Sequence, residues 1–400
     1  MPIRAALAAI KVLSLNLKAL LGLEDGRMAV DRSCPSRLPP ERALAAGRWV
    51  KFIAGASNQD LASIEDCAGI YALAGVHCID VAADGAVVAA ARRGIAWARQ
   101  RHSEAISAST PWQEPWLMVS LSDGEDPHFC KAWFDPLRCP PSCSRPCERI
   151  CPALAIPSAQ GDASAAVGIL EKRCYGCGRC LPVCPLGLIE KRQQLLLPMA
   201  VAPLLAELQP DAVELHTSAG RADAFSARVA QLQESALPLA RVGVSCGLEG
   251  HGISPDGLSR ELWHRYSVLR KAGFAPLWQL DGRPMSGDVG AGTAHAAIRL
   301  LERVAPQAPP GPLQLAGGTN SHSLERLNRR LANHGGSLVH APVAGIAFGG
   351  VARRLLQPFL LEAEQRGGRL LDVPSLCNAA LAAASQLVEP WLTRGTAPSS

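Results

Sequence analysis

Eight cysteines in two groups near the middle of the chain are the residues best suited to hold a metal centre. The downstream group reads CYGCGRCLPVCP from residue 174 to 185, with the spacing C-x2-C-x2-C-x3-C-P. Three thiolates two residues apart, on a tight turn allowed by Gly176 and Gly178, can hold three corners of one iron–sulfur cube, and the cysteine before proline ligates a second cube. Zinc would need only two CxxC pairs. The run therefore predicts an iron–sulfur centre with the ligands Cys174, Cys177, Cys180 and Cys184.

The upstream group supplies the four further thiols that a second cube needs. It reads CPPSCSRPCERICP from residue 139 to 152, with ligands Cys139, Cys143, Cys147 and Cys151. We predict two [4Fe-4S] clusters with crossed ligation, as in two-cluster ferredoxins. One takes Cys139, Cys143, Cys147 and Cys184, and the other takes Cys174, Cys177, Cys180 and Cys151. The upstream spacing is wider than usual, so a [3Fe-4S] cluster or an empty first site is the alternative.

Between the two groups, residues 153–157 (ALAIP) and 166–174 (AVGILEKRC) predict a hairpin of two short strands around residues 158–164. The remaining six of the fourteen cysteines are isolated, and buried free thiols are the expectation for them. Among them, Cys130 is the best candidate for a spare cluster ligand, and Cys246 is the best candidate for a place in a pocket.

Composition indicates a folded protein and excludes several classes. The chain has 400 residues, of which 48% are hydrophobic and 19% charged. A net charge of +5, spread along the chain, with 4% aromatic residues does not indicate nucleic-acid binding. The sequence contains no run of about 18 apolar residues, so it does not predict a membrane-spanning helix. Residues 1–23 predict an amphipathic leader helix, with a membrane-surface helix as the alternative, and residues 31–41 predict a linker. Without an export signal, we expect a cytoplasmic protein whose clustered cysteines bind metal.

Outside the cysteines, short apolar runs alternate with helical segments. Eight predicted strands in βα order favour a TIM-type (βα)8 barrel, with an open doubly wound sheet as the alternative. The cysteine module, residues 129–192, would be inserted after the third strand as a ferredoxin-like unit. The predicted domains are an extension and linker at 1–46, the first half of the barrel at 47–128, this module, and the remainder of the barrel at 193–400.

Paired glycines follow the last two predicted strands, as Gly317-Gly318 and Gly349-Gly350. In phosphate-binding barrels, bare backbone N–H groups at these positions approach the anion. The pairs therefore predict a cofactor-phosphate site, and tight βα turns are the alternative explanation.

The stretch KFIAGASNQDLASIEDCAGIYALAGVHCIDVAAD, residues 51–84, together with both cysteine groups, resembles the cyanobacterial light-dependent period protein family. The likeness extends from about Gly47 to the end of the chain. The resemblance implies a cytoplasmic iron–sulfur protein whose clusters report the redox state set by photosynthetic electron flow. It implies clock-input and oscillator-associated proteins as partners, the eight cysteines as ligands, and no catalytic residue.

Two functions follow from these patterns. The first is a redox sensor without enzyme activity, favoured because no nucleophile–base pair or Rossmann fingerprint is present. The second is an iron–sulfur oxidoreductase in which the clusters pass electrons to a flavin or substrate at the barrel mouth. In that case Lys51, His216 or Cys246 would act near the reacting group. A purely structural iron–sulfur protein is the remaining alternative.

Overall fold

Eight parallel strands close into a barrel in the computed structural model of this chain. The structure describes residues 38–105, 111–157, 168–193, 195–248, 252–283, 290–333 and 343–395. Ten strands occur in these residues: β1 Trp49–Gly55, β2 Cys78–Ala82, β3 Trp116–Ser122, β4 Cys130–Trp133, β5 Glu190–Gln193, β6 Ala212–His216, β7 Arg241–Cys246, β8 Pro276–Asp281, β9 Leu313–Ala316 and β10 Val343–Phe348. The barrel order is β1-β2-β3-β6-β7-β8-β9-β10, and β10 pairs back to β1. This closure confirms the (βα)8 prediction and excludes the open doubly wound sheet.

The helices fill the connections between the strands. In the described residues they are α1 Pro40–Ala45, α2 Leu61–Ala74, α3 Gly85–Ala105, α4 Pro146–Ile150, α5 Cys180–Val183, α6 Pro198–Leu208, α7 Ala222–Glu234, α8 Pro255–Lys271, α9 Ala294–Val304, α10 Ser323–Asn333, α11 Gly350–Gln365 and α12 Pro374–Leu392. None of the helices in the described part of the chain has the length and apolar character needed to cross a membrane.

The strands bury both faces, as a barrel requires. On β1, Val50 and Phe52 pack into the large core formed with the surrounding helices, whereas Trp49 belongs to a separate apolar layer. This layer lies at the amino-terminal end of the barrel, where Leu44 of α1 covers it; its other members are Cys78, Met118, Ala212, Leu277 and Ala344. The carboxyl-terminal end is thus left for polar side chains.

The N-terminal predictions lie mostly outside the described residues. Residues 1–37, which include the predicted leader helix and most of the predicted linker, are among those not described. The linker prediction is wrong at its end, because α1 begins at Pro40. Proline is well tolerated in the first turn of a helix, where its missing N–H would have no helical partner.

The cysteine module is tied to the barrel by an antiparallel ribbon rather than by the predicted hairpin. Strand β4 pairs with β5, so that Cys130 lies opposite Gln193. No strand occurs in residues 153–157 or 168–174, where a single backbone bond joins Leu170 N–H to the Ala155 carbonyl at 2.7 Å. Residues 158–164 lie outside the described residues. The hairpin prediction is therefore wrong in its described part, because residues 155 and 156 pack in the apolar core around the cysteines instead.

Helices α2 and α3 cross closely at Gly94, which yields a stability prediction. A Cβ atom on Gly94 would lie 2.2 Å from the Glu65 carbonyl oxygen and 2.8 Å from the Gly69 nitrogen. We expect Gly94→Ala to lower the free energy of unfolding by about 1–3 kcal/mol through overpacking, measured as a shift in the urea midpoint. Gly292→Ala is the matched control, since within the described residues no atom beyond its chain neighbours lies within 4 Å of its added Cβ. Equal midpoints for the two variants would show that the crossing is looser than described.

Candidate functional site

The first group of thiols comprises Cys139, Cys143, Cys147 and Cys184. Burial raises the pKa of Cys139, and the neighbouring thiols of Cys143 and Cys147 raise it further. Burial likewise raises the pKa of Cys147, with a contribution from Cys184. Arg145, at φ 45°, turns the chain immediately before α4, which carries Cys147. The cysteine-proline ligand of the downstream group thus lies with the three thiols of the upstream group.

The second group comprises Cys151, Cys174, Cys177 and Cys180. Burial raises the pKa of Cys180 to about 12, and the thiols of Cys177, Cys174 and Cys151 add to the shift. All four side chains line one cavity of about 340 Å³, together with apolar residues that include Ala132, Ala155, Ile156 and Ile169. These four thiols are the ones assigned above to one cube, and that ligation stays a prediction.

Backbone geometry around the thiols suits cluster binding. Gly176 and Gly178 have φ of 74° and 73°, in the left-handed region, which agrees with the tight turn predicted between the cysteines. Backbone N–H groups donate to four of the sulfur atoms: Arg145 to Cys143 at 3.4 Å, Ala155 to Cys151 at 3.3 Å, Ala132 to Cys174 at 3.4 Å and Leu188 to Cys184 at 3.4 Å. Such N–H···S bonds stabilise added negative charge and raise cluster potentials.

The thiols can be compared with the arrangement that a single zinc ion requires. Four thiolates around zinc, with bonds of about 2.3 Å, place the sulfur atoms roughly 3.8 Å apart. Among the residues that the structure describes, the one group of three ligand atoms found within 4.8 Å of one another contains no cysteine. Within the described residues, no three thiols are therefore gathered as closely as the thiolates around one zinc ion would be.

The segment next to Cys174 docks on the barrel. The backbone N–H of Gln59, which follows β1, donates to the carbonyl of Lys172 at 3.1 Å. The guanidinium of Arg173 lies 3.6 Å from the Asp60 carboxylate and also pairs with Glu364 of α11. Residues immediately preceding a cluster ligand thus contact two barrel elements.

Tyr175, immediately after Cys174, extends this contact to the end of the barrel sheet. The Arg353 guanidinium lies 4.0 Å from the centre of the Tyr175 ring and donates to the Ile53 carbonyl of β1 at 2.7 Å. A Cβ on Gly55 would lie 3.1 Å from the Tyr175 Cβ, so a side chain at this position would crowd the ring. Tyr175 is therefore held between a cluster ligand and the strand end.

Inside the barrel, Lys51 is buried between two carboxylates. Its Nζ lies 3.0 Å from Asp80 Oδ2 and is bonded to Glu214, while Ser120 donates to Asp80 Oδ1 at 2.7 Å. Burial alone would lower the pKa of Lys51, but the two carboxylates raise it well above its ordinary value. Burial opposes ionisation of Glu214, yet Lys51 and His216 lower its pKa to about 2. Lysines at strand starts are often solvated, but the Lys51 side chain is fully buried.

A chain of hydrogen bonds links this ion pair to the rest of the barrel interior. Trp49 Nε1 donates to Gln314 Oε1 at 2.5 Å, Gln314 Nε2 donates to Gln279 Oε1 at 2.7 Å, and Gln279 Nε2 donates to Glu214 Oε1 at 2.6 Å. His216 Nε2 lies 3.2 Å from the same Glu214 oxygen. Glu214 is thus fixed from three sides. Sequence reasoning missed Glu214 and Asp80, although each is a lone acidic residue within an apolar strand, and that was the available signal.

Five of the six isolated cysteines lie in the described residues, and none of these five lines the cavity of the second thiol group. Cys246 is buried and its Sγ donates to the Gln279 carbonyl at 3.0 Å. Burial raises its pKa well above its ordinary value, so it is a neutral thiol. Cys130, the candidate spare cluster ligand, donates its thiol hydrogen to the Asp126 carbonyl, with the Sγ 3.3 Å from the oxygen. Three others are buried, namely Cys67, Cys78 and Cys377, and Cys34 lies outside the described residues.

The predicted phosphate-binding glycines lie at two loops of the barrel mouth. A Cβ on Gly317 would be 2.6 Å from the Arg283 carbonyl oxygen, and one on Gly318 would be 3.0 Å from the Thr293 carbonyl oxygen. Thr293 Oγ1 also donates to the Gly318 carbonyl at 2.5 Å. This loop therefore packs closely against its neighbours. The phosphate role stays a prediction.

The second glycine pair is packed less closely than the first. A Cβ on Gly349 would meet only Arg353 at 3.5 Å and Ile53 at 3.7 Å, both ordinary contacts. Gly350 begins α11, so the free N–H groups of the helix start are near the Arg353 guanidinium. These groups are of the right type for an anion, and that role likewise stays a prediction.

Asp281, at the end of β8, gives a pH-dependent prediction. Burial raises the pKa of Asp281 to about 7, and the Glu214 carboxylate adds to the rise. A raised carboxyl pKa contributes stability at low pH that is lost as pH rises through the folded value. We expect Asp281→Asn to gain thermal stability relative to the unchanged chain as the pH rises from about 4, the ordinary carboxyl pKa, to about 7, with no further gain above that pH. Asp223→Asn, at an exposed position of α7, is the control and should give a constant difference. A constant difference for Asp281→Asn as well would contradict the assignment.

Comparisons with known proteins give the following matches. Residues 204–390 match the family model described as the light dependent period A C-terminal domain, and residues 139–195 match the LdpA Fe-S cluster-binding domain. A protein named Light dependent period A, from Synechococcus elongatus, is 43% identical over 353 residues, which cover 88% of this chain and 93% of that protein.

Two solved structures also align with the chain. A thiamine phosphate pyrophosphorylase from Pyrococcus furiosus has a TM-score of 0.32 and 10% identity, covering 85% of this chain and 98% of that one. The (S)-3-O-geranylgeranylglyceryl phosphate synthase from Thermoplasma acidophilum, in complex with sn-glycerol-1-phosphate, has a TM-score of 0.34 and 11% identity, covering 86% and 96%. Neither likeness bears on function.

Proposed function

The chain belongs to the light dependent period A family of iron–sulfur proteins, and on that basis we propose that it is a redox sensor that conveys light-dependent photosynthetic redox state to the circadian clock. In this proposal the eight cysteines hold two [4Fe-4S] clusters. The clusters supply a reversible one-electron change, and the protein supplies the means by which partners recognise it. The proposed location is the cytoplasm.

The observation that supports sensing is the continuity between cluster ligand and barrel. Lys172, Arg173 and Tyr175 flank Cys174 and all contact the loops or helices that follow β1 and β10. With a cluster bound on Cys174, reduction would add negative charge beside Arg173 and the Tyr175–Arg353 contact. Through the Tyr175–Arg353 contact, any movement of the Cys174 loop then shifts the start of α11. Reversing a population from 1:99 to 99:1 takes about 5.5 kcal/mol of differential stability, so several such contacts have to change together.

Hydrogen exchange in the oxidised and dithionite-reduced states tests this coupling. We expect redox-dependent exchange in residues 55–60 and in the first turns of α11. Arg353→Met should remove this difference while leaving iron and sulfide content unchanged. Arg354→Met is the matched control, because Arg354 is the next residue along α11 and is exposed. Identical exchange of the unchanged protein in both states would contradict the proposal.

The proposed partners are clock-input and oscillator-associated proteins, with photosynthetic electron carriers as the source of electrons. Binding of purified clock proteins to the oxidised and reduced forms, with Arg353→Met alongside, would test them. A partner that binds both forms equally tightly would not be reading the redox state.

A second candidate, an iron–sulfur oxidoreductase, is favoured by the barrel mouth. A cavity of about 690 Å³ lies between the loops after β1, β2 and β3 and the segment leaving the cysteine module, and its lining includes Gln59, Asp84, Ser122 and Leu196. The buried Lys51 ion pair is on β1, the strand that leads into the first of these loops. Anaerobically purified protein that releases a fluorescent flavin on denaturation would support this function over the sensor.

A further inference from the structure

Three side chains that bind transition metals meet at the barrel mouth, outside both thiol groups. One ligand atom from each of Asp126, His128 and His216 lies within 4.8 Å of the other two. Asp126 Oδ1 is 2.6 Å from His128 Nδ1, and Asp126 Oδ2 is 3.5 Å from His216 Nδ1. The first two residues lie on the segment that precedes β4, and the third ends β6. These donors are about 90 residues apart in sequence. The fold brings them together because the carboxyl ends of the barrel strands meet at one end of the barrel.

His216 supplies an independent observation that points to a ligand at this place. Its side chain is 8% exposed, and its Nδ1 is a buried nitrogen with no hydrogen-bond partner. An unpaired buried polar atom costs about 1–3 kcal/mol. The facing carboxylate oxygen, Asp126 Oδ2, lies 3.5 Å from Nδ1, at the outer limit of a hydrogen bond. A cation between these two groups would satisfy both.

The other ring nitrogen of His216 is held as a metal-binding histidine requires. His216 Nε2 lies 3.2 Å from Glu214 Oε1, and Glu214 is bonded to Lys51 and Gln279. A proton on Nε2 donated to this carboxylate leaves the Nδ1 lone pair free to face Asp126. Metal-ligating histidines regularly donate their second N–H to a carboxylate in this way, which fixes the tautomer and increases ligand basicity.

We propose that Asp126, His128 and His216 bind a single divalent transition-metal ion of the zinc or ferrous-iron class, separate from the iron–sulfur clusters. Two imidazoles and one carboxylate form the facial triad that leaves coordination positions open for water or a small ligand. Phe129, whose ring packs edge-on against His216 at 5.3 Å between centroids, also lines the 690 Å³ cavity. The metal site therefore borders this cleft at the barrel mouth, which opens to solvent. The inference does not depend on the proposed sensing function.

A proton is the competing occupant of the site. Burial lowers the pKa of His216, but Asp126 and Glu214 raise it well above its ordinary value, so an imidazolium could bridge the two carboxylates. Metal binding and protonation at Nδ1 exclude one another, and metal uptake distinguishes them.

The test is metal uptake by the full chain with its clusters loaded, so that the cysteines are occupied. Anaerobically purified protein is treated with a chelator and then dialysed against micromolar Zn²⁺ or Fe²⁺, and bound metal and acid-labile sulfide are measured on the same samples. We expect about one bound metal ion per chain beyond the iron that matches the sulfide. His128→Ala and the nearly isosteric Asp126→Asn should each weaken binding at least tenfold with sulfide unchanged. His128→Asp, which restores a ligand oxygen, should recover part of the binding.

His322→Ala is the matched control, since this histidine is half-exposed and remote from the triad in sequence. It should bind metal as the unchanged chain does. Absence of metal beyond the sulfide-matched iron in the unchanged, cluster-loaded protein would overturn the proposal and leave the proton as occupant. Equal uptake by His128→Ala and the unchanged chain would overturn it too. Neither result would affect the sensing function, which is tested by exchange in the two redox states.

Discussion

Cys177→Ser is expected to lose one of two clusters and keep the other. Cys177 lines the cavity shared with Cys151, Cys174 and Cys180, so its loss removes one corner of a single cube. Iron and acid-labile sulfide should fall from about eight to about four of each per chain. The redox-dependent exchange at α11 should disappear with it, because Cys174 belongs to the same cluster. Measurement needs iron and sulfide analysis and EPR of the reduced protein.

Paired substitutions test the crossed ligand sets. Cys151→Ser should remove the same EPR signal as Cys177→Ser, although Cys151 lies in the upstream sequence group. Cys184→Ser should remove the other signal, although Cys184 lies in the downstream group. Cys377→Ser is the control, since this cysteine lies on α12 and is buried away from the module. Loss of the same signal in Cys184→Ser and Cys177→Ser would show that each sequence group binds its own cluster.

Lys51→Met is expected to be among the most destabilising single changes in the barrel. It leaves Asp80 and Glu214 buried without their cation, and both side chains are about 1% exposed. Breaking a buried ion pair from one side costs about 3–5 kcal/mol. The urea midpoint, followed by circular dichroism under anaerobic conditions, should shift accordingly.

Two further variants make the cause of that loss visible. Adding Asp80→Asn and Glu214→Gln to Lys51→Met removes the uncompensated charge and should restore much of the stability. Arg99→Met breaks the ion pair between Arg99 and Glu114, whose side chains are 58% and 45% exposed. Its loss should lower the free energy of unfolding by no more than about 1 kcal/mol. If Lys51→Met unfolds at the same midpoint as Arg99→Met, the buried pair does not stabilise the barrel.

The barrel could be predicted because its signals are local, and the predicted thiol ligands rest on an equally local signal. Eight apolar runs alternate with helical segments, and each run is long enough to read without its partner strand. The cysteine spacing and its glycines similarly determine a turn within a few residues, and Gly176 and Gly178 adopt the expected left-handed φ.

The polar interior could not be predicted because its partners are distant in sequence. Lys51 and Glu214 are 163 residues apart, and only barrel closure brings their strands together. The ribbon in the cysteine module was missed for a different reason. Strand β5 is EKRQ, with all four residues exposed, so it has neither the apolar alternation nor the β-branched residues that indicate a strand. The predicted hairpin failed because apolar residues 155 and 156 were needed to cover the cysteines.

The central claim is that this barrel carries two redox-active cubes on eight thiolates. Iron and acid-labile sulfide analysis of anaerobically purified protein, with EPR before and after dithionite, tests it most directly. We predict about eight irons and eight sulfides in the clusters of each chain, with paramagnetic signals that appear on reduction. Stoichiometric zinc on the cysteines, or no sulfide at all, would contradict the claim.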